Sequence, residues 1–247
     1  MPFGRGPPGF MNKPWTIRPH PWHIPFMALT IKICGLKTHE SLQAALDAGA
    51  NWVGFVFFSK SPRHVSLEEA KLLGAAVKGR AVKVALMVDA DDAAIAAIIA
   101  ALQPDMLQLH GHESPARVAA IRATFGLPVI KAVGVAGAVD LIEARQYEKI
   151  ADWLLLDAKP PKDATLPGGN GVPFDWNLLA GLDLAKPFMV SGGLDPSNVA
   201  KAIAISHAAG VDVSSGVESA PGVKDIGKIN AFMVAAREAG KTALGKD

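Results

Sequence analysis

The chain has a single cysteine, Cys34, at the end of the run Leu29-Thr30-Ile31-Lys32-Ile33-Cys34 and directly before Gly35. A lone thiol makes no internal disulfide, so it serves either as a small core residue or as a reactive group. A strand that stops at a cysteine and turns at a glycine can hold the sulfur at the mouth of a sheet or barrel. Asp157 closes a second apolar run, Trp153-Leu154-Leu155-Leu156. Alternate residues of a strand share a face. Asp157 therefore goes with Leu155 and Trp153, and Cys34 with Lys32 and Thr30. If both faces point inward, thiol and carboxyl meet across one opening. A carboxyl in such a cleft can be held protonated by desolvation and act as general acid. A thiol beside a cation such as Lys32 is expected to lose its proton more readily and to act as base or nucleophile. Singly, Cys34 also reads as packing and Asp157 as a cap for the next segment. As a pair, each at a strand end, they point to acid–base chemistry.

A second set of residues suits an anion. Ser191-Gly192-Gly193-Leu194 precedes a helix start expected at Asp195-Pro196, and Asp212-Val213-Ser214-Ser215-Gly216 ends a later apolar run. Glycines admit close backbone approach, and N–H groups at a helix start attract negative charge. The candidate phosphate-binding residues are Gly192, Gly193, Asp212, Ser214, Ser215 and Gly216. Arg63, in Ser59-Lys60-Ser61-Pro62-Arg63-His64, suits a carboxylate by its planar guanidinium; its other reading is a solvated loop arginine. His110-Gly111-His112-Glu113 has the residue types of a metal site. Two histidines one residue apart on a strand face opposite ways, so no metal is expected and His110 is placed in the pocket. Pro167-Gly168-Gly169-Asn170-Gly171 is either a lid over Asp157 or a plain flexible connection.

These groups need a scaffold that gathers strand ends. From Ala28 onward, short β-rich runs alternate with alanine-rich helical stretches. Strands are predicted over Thr30–Cys34, Trp52–Phe57, Val82–Val88, Met106–His110, Val129–Val133, Trp153–Asp157, Phe188–Ser191 and Val211–Ser214. Helices are predicted over Thr38–Ala48, Ser66–Val77, Asp91–Leu102, Ser114–Thr124, Ala136–Tyr147, Pro196–Ile205 and Lys224–Ala239, with a weak one around Asp175–Ala180. Ser66 and Glu69 have capping-box spacing. Eight β-then-α units favour a closed parallel barrel over a doubly wound open sheet, and a barrel carries its site at the strand C-terminal ends.

Length and composition agree. The 247 residues are 50% hydrophobic, with a formal net charge of +2, which gives no reason to expect a nucleic-acid or membrane partner. One cysteine suits a reducing cytoplasm. Residues 1–27 are rich in proline, glycine and aromatics. We expect them to form a disordered or irregular extension, either upstream of a physiological start at Met27 or a true tail with a binding role. Residues 28–247 are expected to form one catalytic domain.

The ordered set of motifs resembles phosphoribosylanthranilate isomerase of tryptophan biosynthesis. It comprises Ile31–Gly35, Gly54–Phe57 with Ser59–Arg63, Leu107–Gly111, Ile130–Val135, Leu154–Lys159, Gly168–Gly171 with Phe174–Trp176, Ser191–Leu194, and Val211–Glu218 with Pro221–Asp225. The departures are Asn170, where the family usually has Ser or Thr, and Ser59, where it often has Pro; both lie in loops. The resemblance implies an α/β fold, a single (β/α)8 TIM barrel, that converts N-(5-phosphoribosyl)anthranilate to 1-(2-carboxyphenylamino)-1-deoxyribulose 5-phosphate by an Amadori rearrangement. It implies Asp157 as acid, Cys34 as base and Arg63 as the anthranilate-carboxylate contact, with no cofactor, a small phosphorylated substrate, and a monomer or homodimer in the cytoplasm. Two rivals remain: the aminoimidazole carboxamide ribotide isomerase of histidine synthesis, which has an aspartate where Cys34 stands, and a barrel that only binds a phosphorylated ligand.

Overall fold

A computed structural model describes residues 29–159 and 173–244; the expected N-terminal extension and the Pro167–Gly171 loop lie outside them. The strands are β1 (Thr30–Cys34), β2 (Trp52–Phe57), β3 (Val82–Met87), β4 (Met106–Leu109), β5 (Val129–Val135), β6 (Trp153–Ala158), β7 (Phe188–Val190) and β8 (Gly210–Val213). They pair in parallel in sequence order, and β1 returns to β8 through Thr30↔Gly210, Ile31↔Val211, Lys32↔Asp212 and Ile33↔Val213. That last pairing closes the barrel and rules out the open doubly wound sheet.

Helices α1 (His39–Asp47), α2 (Leu67–Val77), α3 (Asp92–Leu102), α4 (Pro115–Phe125), α5 (Ala138–Arg145), α6 (Val199–Ser206) and α7 (Ile226–Leu244) accompany the strands. Each of the first four is stopped at its N-terminus by a side-chain oxygen on an orphan N–H, from Thr38, Ser66, Asp91 and Ser114. Such a cap is worth roughly 1 kcal/mol. Ser66 and Glu69 form the reciprocal box that their spacing predicts, at 2.7 and 3.1 Å. The helix predicted over Ala136–Tyr147 starts later, because Asp140 Oδ2 takes the N–H groups of Ala136 and Gly137 and turns them into its cap. The weak segment is a short 3-10 turn at Trp176–Leu179.

Strand alternation sorts the core into shells. Ile31, Ile33, Val53, Phe55, Leu107, Leu109, Leu154 and Leu156 pack outward under the helices. Their neighbours face inward: Trp52, Val82, Val84, Met106, Ile130, Ala132, Leu155 and Met189 fill the barrel floor, with Trp52 and Trp153 edge to face at 4.9 Å. Cys34, Val56 and Leu86 form a separate small cluster above it. The floor is mainly apolar and filled; apart from Thr30, Lys32 and Gln108, which are buried on the same inward faces, the polar inward residues fall at the strand C-terminal ends. None of the helices among the described residues is long and apolar enough to cross a membrane.

Candidate active site

A solvent-open cavity lies at the C-terminal ends of the strands. Cys34 from β1, Asp157 from β6, His110 after β4, Arg63 after β2, Gly192 and Gly193 after β7, and Asp212, Ser214 and Ser215 from β8 and its loop all line it. The spacing argument therefore holds in one respect: the thiol and the carboxyl, far apart in sequence, face one opening. Gly216 is not among the lining residues; it packs on the Leu194 carbonyl with no room for a Cβ.

On the acid side, His110 Nε2 lies 3.1 Å from Asp157 Oδ2, and His110 Nδ1 lies 3.0 Å from the Gln108 amide nitrogen. Asp157 Oδ1 accepts from the Ala158 N–H at 2.9 Å. Gly192, in the left-handed region at φ +82, passes so close that a Cβ would sit 2.8 Å from Asp157 Oδ1. Only glycine lets the β7 loop meet this carboxylate.

On the base side, Lys32 is fully buried beneath the thiol and donates to Asp212 Oδ1 at 2.8 Å. Gly54 on β2 makes the space: a Cβ there would sit 2.7 Å from Cys34 Sγ and 3.2 Å from Lys32 Cε. Lys32 does ease deprotonation, as expected, but it does not set the net direction. Burial pushes the Cys34 thiol up, Lys32 pulls it down, and Asp212 pushes it up again, leaving it above its ordinary value. For Lys32, burial works against the charge, but Asp212 and Cys34 outweigh it and hold the amine protonated.

Arg63 is no solvated loop residue. It is 6% exposed, and its Nε and Nη2 donate to the two oxygens of Glu218, both at 2.8 Å. Glu218 opens a two-stranded ribbon, β9 (Glu218–Ala220) with β10 (Val223–Lys224), in which Lys224 sits opposite it. Lys224 Nζ donates to Glu218 Oε1 at 2.8 Å and to the Ser214 carbonyl at 2.8 Å. Burial pushes the Glu218 carboxyl up, but Arg63 and Lys224 together bring it below its ordinary value. The Lys224 amine is held down by burial, against the pull of Glu218. Ser214 is held as well, its hydroxyl donating to the Cys34 carbonyl at 3.1 Å.

The helix start expected at Asp195-Pro196 also shifts. Asp195 Oδ1 accepts from the N–H groups of Ser197 and Asn198 at 2.7 and 3.2 Å, and α6 begins only at Val199. Those donors are taken within the loop, whereas Gly192, Gly193 and Ser215 stand on the cavity wall. The His112 side chain is exposed, whereas His110 turns to Asp157. Among the described residues no three His, Cys, Asp or Glu side chains converge as metal ligands do.

Sequence reasoning did not single out Gln108, Glu218 or Lys224. The Pro221-Gly222 pair was a turn signal that would have set Glu218 and Lys224 side by side on a ribbon. Nothing local ties Glu218 to Arg63.

A closed parallel barrel that collects a thiol, a carboxylate and two glycine- and serine-lined turns at its C-terminal rim defines a (β/α)8-barrel enzyme with its site on that face. Comparison with known proteins narrows the class. The family model described as N-(5'phosphoribosyl)anthranilate (PRA) isomerase matches residues 31–235. The N-(5'-phosphoribosyl)anthranilate isomerase of Rhodopseudomonas palustris (strain HaA2) is 58% identical over 216 residues, which is 87% of this chain and 99% of that protein. The crystal structure of phosphoribosyl anthranilate isomerase from Thermotoga maritima superposes with a TM-score of 0.77 at 34% identity, covering 85% of this chain and 99% of the other. A second structure, of the isomerase in complex with reduced 1-(o-carboxyphenylamino)-1-deoxyribulose 5-phosphate, gives 0.74 at 33% identity, with 85% and 99% covered. The chain belongs to the N-(5'-phosphoribosyl)anthranilate isomerase family.

Proposed function

We propose that this chain carries out its family's isomerisation, the Amadori rearrangement of N-(5-phosphoribosyl)anthranilate in tryptophan biosynthesis, with Asp157 as acid and Cys34 as base. The observation that carries this reading is that both groups line one cavity, with His110 on Asp157 and Lys32 under Cys34. Asp157, hydrogen-bonded to His110, protonates the furanose ring oxygen. The nitrogen lone pair expels that oxygen and a cationic Schiff base forms at C1. The cation acidifies the C2–H, and its positive charge favours the thiolate that burial alone opposes. Cys34, its own proton released to solvent as the cation forms, takes the C2 proton as thiolate and leaves an enolamine. Cys34 then returns a proton to C1 while the 2-hydroxyl proton passes to Asp157, which gives the 2-ketone and restores both groups, so the net reaction moves protons only.

Binding is divided between the two ends of the substrate. The Gly192-Gly193 and Ser214-Ser215 backbone takes the phosphate, and Arg63, braced by Glu218, faces the anthranilate carboxylate. Asp212 is placed to reach a sugar hydroxyl. Holding both ends fixes C1 and C2 between acid and base. The scheme uses no metal or organic cofactor, because each proton passes between the substrate and Asp157 or Cys34. The substrate is a small phosphorylated molecule, and we assign the chain to the cytoplasm, as a monomer or homodimer.

The test follows loss of substrate fluorescence with purified protein. Cys34→Ser and Asp157→Asn should each lower kcat by about a hundred- to ten-thousandfold while KM changes little. Near-normal turnover in either variant reassigns that role, and an inert wild type removes the reading altogether.

A further inference from the structure

We propose that Glu113 and Lys131 are positioning residues that hold His110 against Asp157 from outside the cavity. The proposal rests on the reading of His110 and Asp157 as the acid side of the site. Lys131 lies on the outward face of β5, and Glu113 lies just before α4. Their side chains are 3% and 2% exposed, with Nζ 2.7 Å from Oε2. A buried ion pair is a poor source of stability, since desolvation offsets most of the attraction. The other contacts of this pair show where it acts.

Lys131 Nζ also donates to the carbonyls of Gly111 at 2.7 Å and Leu109 at 3.4 Å. Glu113 accepts from the Gly111 N–H at 3.0 Å through Oε2 and from the Asp89 N–H at 3.0 Å through Oε1. The peptide groups on both sides of His110 are thereby gripped by one ion pair, while the His110 N–H donates to the Met87 carbonyl at 2.9 Å. Asp89 stands in the left-handed region at φ 48 and accepts from the His112 N–H at 2.7 Å. The Tyr147 hydroxyl donates to the Glu113 carbonyl at 3.0 Å.

The His-Gly-His-Glu motif thus has a use that is not metal binding. Its first histidine enters the cavity, the second serves through its backbone, and the glutamate turns back to clamp the loop. The imidazole must keep its 3.1 Å contact to Asp157, and displacements of about 1 Å can lower rates by about a hundredfold.

A double-mutant cycle on the full chain tests this, with kcat and KM measured for Lys131→Met, His110→Ala and the two combined. Lys131→Met should lower kcat by about ten- to a hundredfold, with KM shifted far less. In the His110→Ala background the same substitution should cost less than about threefold, because nothing remains to be positioned. Equal losses in both backgrounds would overturn the proposal, as would an undiminished kcat in Lys131→Met. A His110→Ala variant with full kcat would remove the reading of His110 and this proposal with it. Should Lys131→Met fail to fold, Glu113→Gln/Lys131→Met, which strands no buried charge, replaces it in the same cycle.

Discussion

At the residue level, the thiol is governed by two opposed neighbours. Lys32 favours its ionised form, while Asp212, bound to Lys32, disfavours it; burial tips the balance toward the protonated thiol. Asp212→Asn should therefore raise the rate at which iodoacetamide alkylates Cys34 at fixed neutral pH. The gain should be about three- to tenfold, because the thiolate fraction grows as the thiol's pKa falls. Lys32→Met should slow alkylation instead. A slower reaction in Asp212→Asn would show that this carboxylate does not oppose ionisation.

Among the elements, the β9–β10 ribbon brings Glu218 to Arg63 and Lys224. Glu218→Gln would leave two buried cations without their carboxylate, and about 3–5 kcal/mol of stability should be lost at pH 7. The folded value of this carboxyl lies below its ordinary one. Its contribution is therefore full above the ordinary carboxylate range and is lost as pH falls through the lowered value. Urea denaturation at pH 7 and at about pH 4 should show a shallower acid decline in Glu218→Gln than in the parent chain. The strands and caps were legible in the sequence because alternation and capping are local: Cys34 and Asp157 were found by asking which polar residue ends each apolar run. The Arg63 partner was not legible, because it lies 155 residues away. Nor was the direction of the thiol's shift, which depends on burial and on Asp212, 180 residues from Lys32. The helix start at Asp195 was misplaced because an aspartate followed by Pro-Ser-Asn can close on its own loop before a helix begins.

Across the whole molecule, stability and chemistry occupy different layers of the barrel. The floor is mainly apolar and the rim polar, so a cavity in the floor should be felt as lost stability without lost turnover. Met106→Ala, at a position 1% exposed, should cost about 2–5 kcal/mol. Under conditions where the variant stays folded, kcat should match the parent. Urea titration with rates normalised to folded protein checks both, and a matching fall in kcat would show that the layers are coupled. The closing seam between β1 and β8 has a kinetic corollary. The amine below the sulfur meets its counter-ion only once the first strand has been zipped to the last, among the slowest kinds of contact for a chain to find. During refolding from urea, catalytic competence should therefore lag the return of far-ultraviolet circular dichroism, so that turnover serves as a clock for the moment the ring shuts.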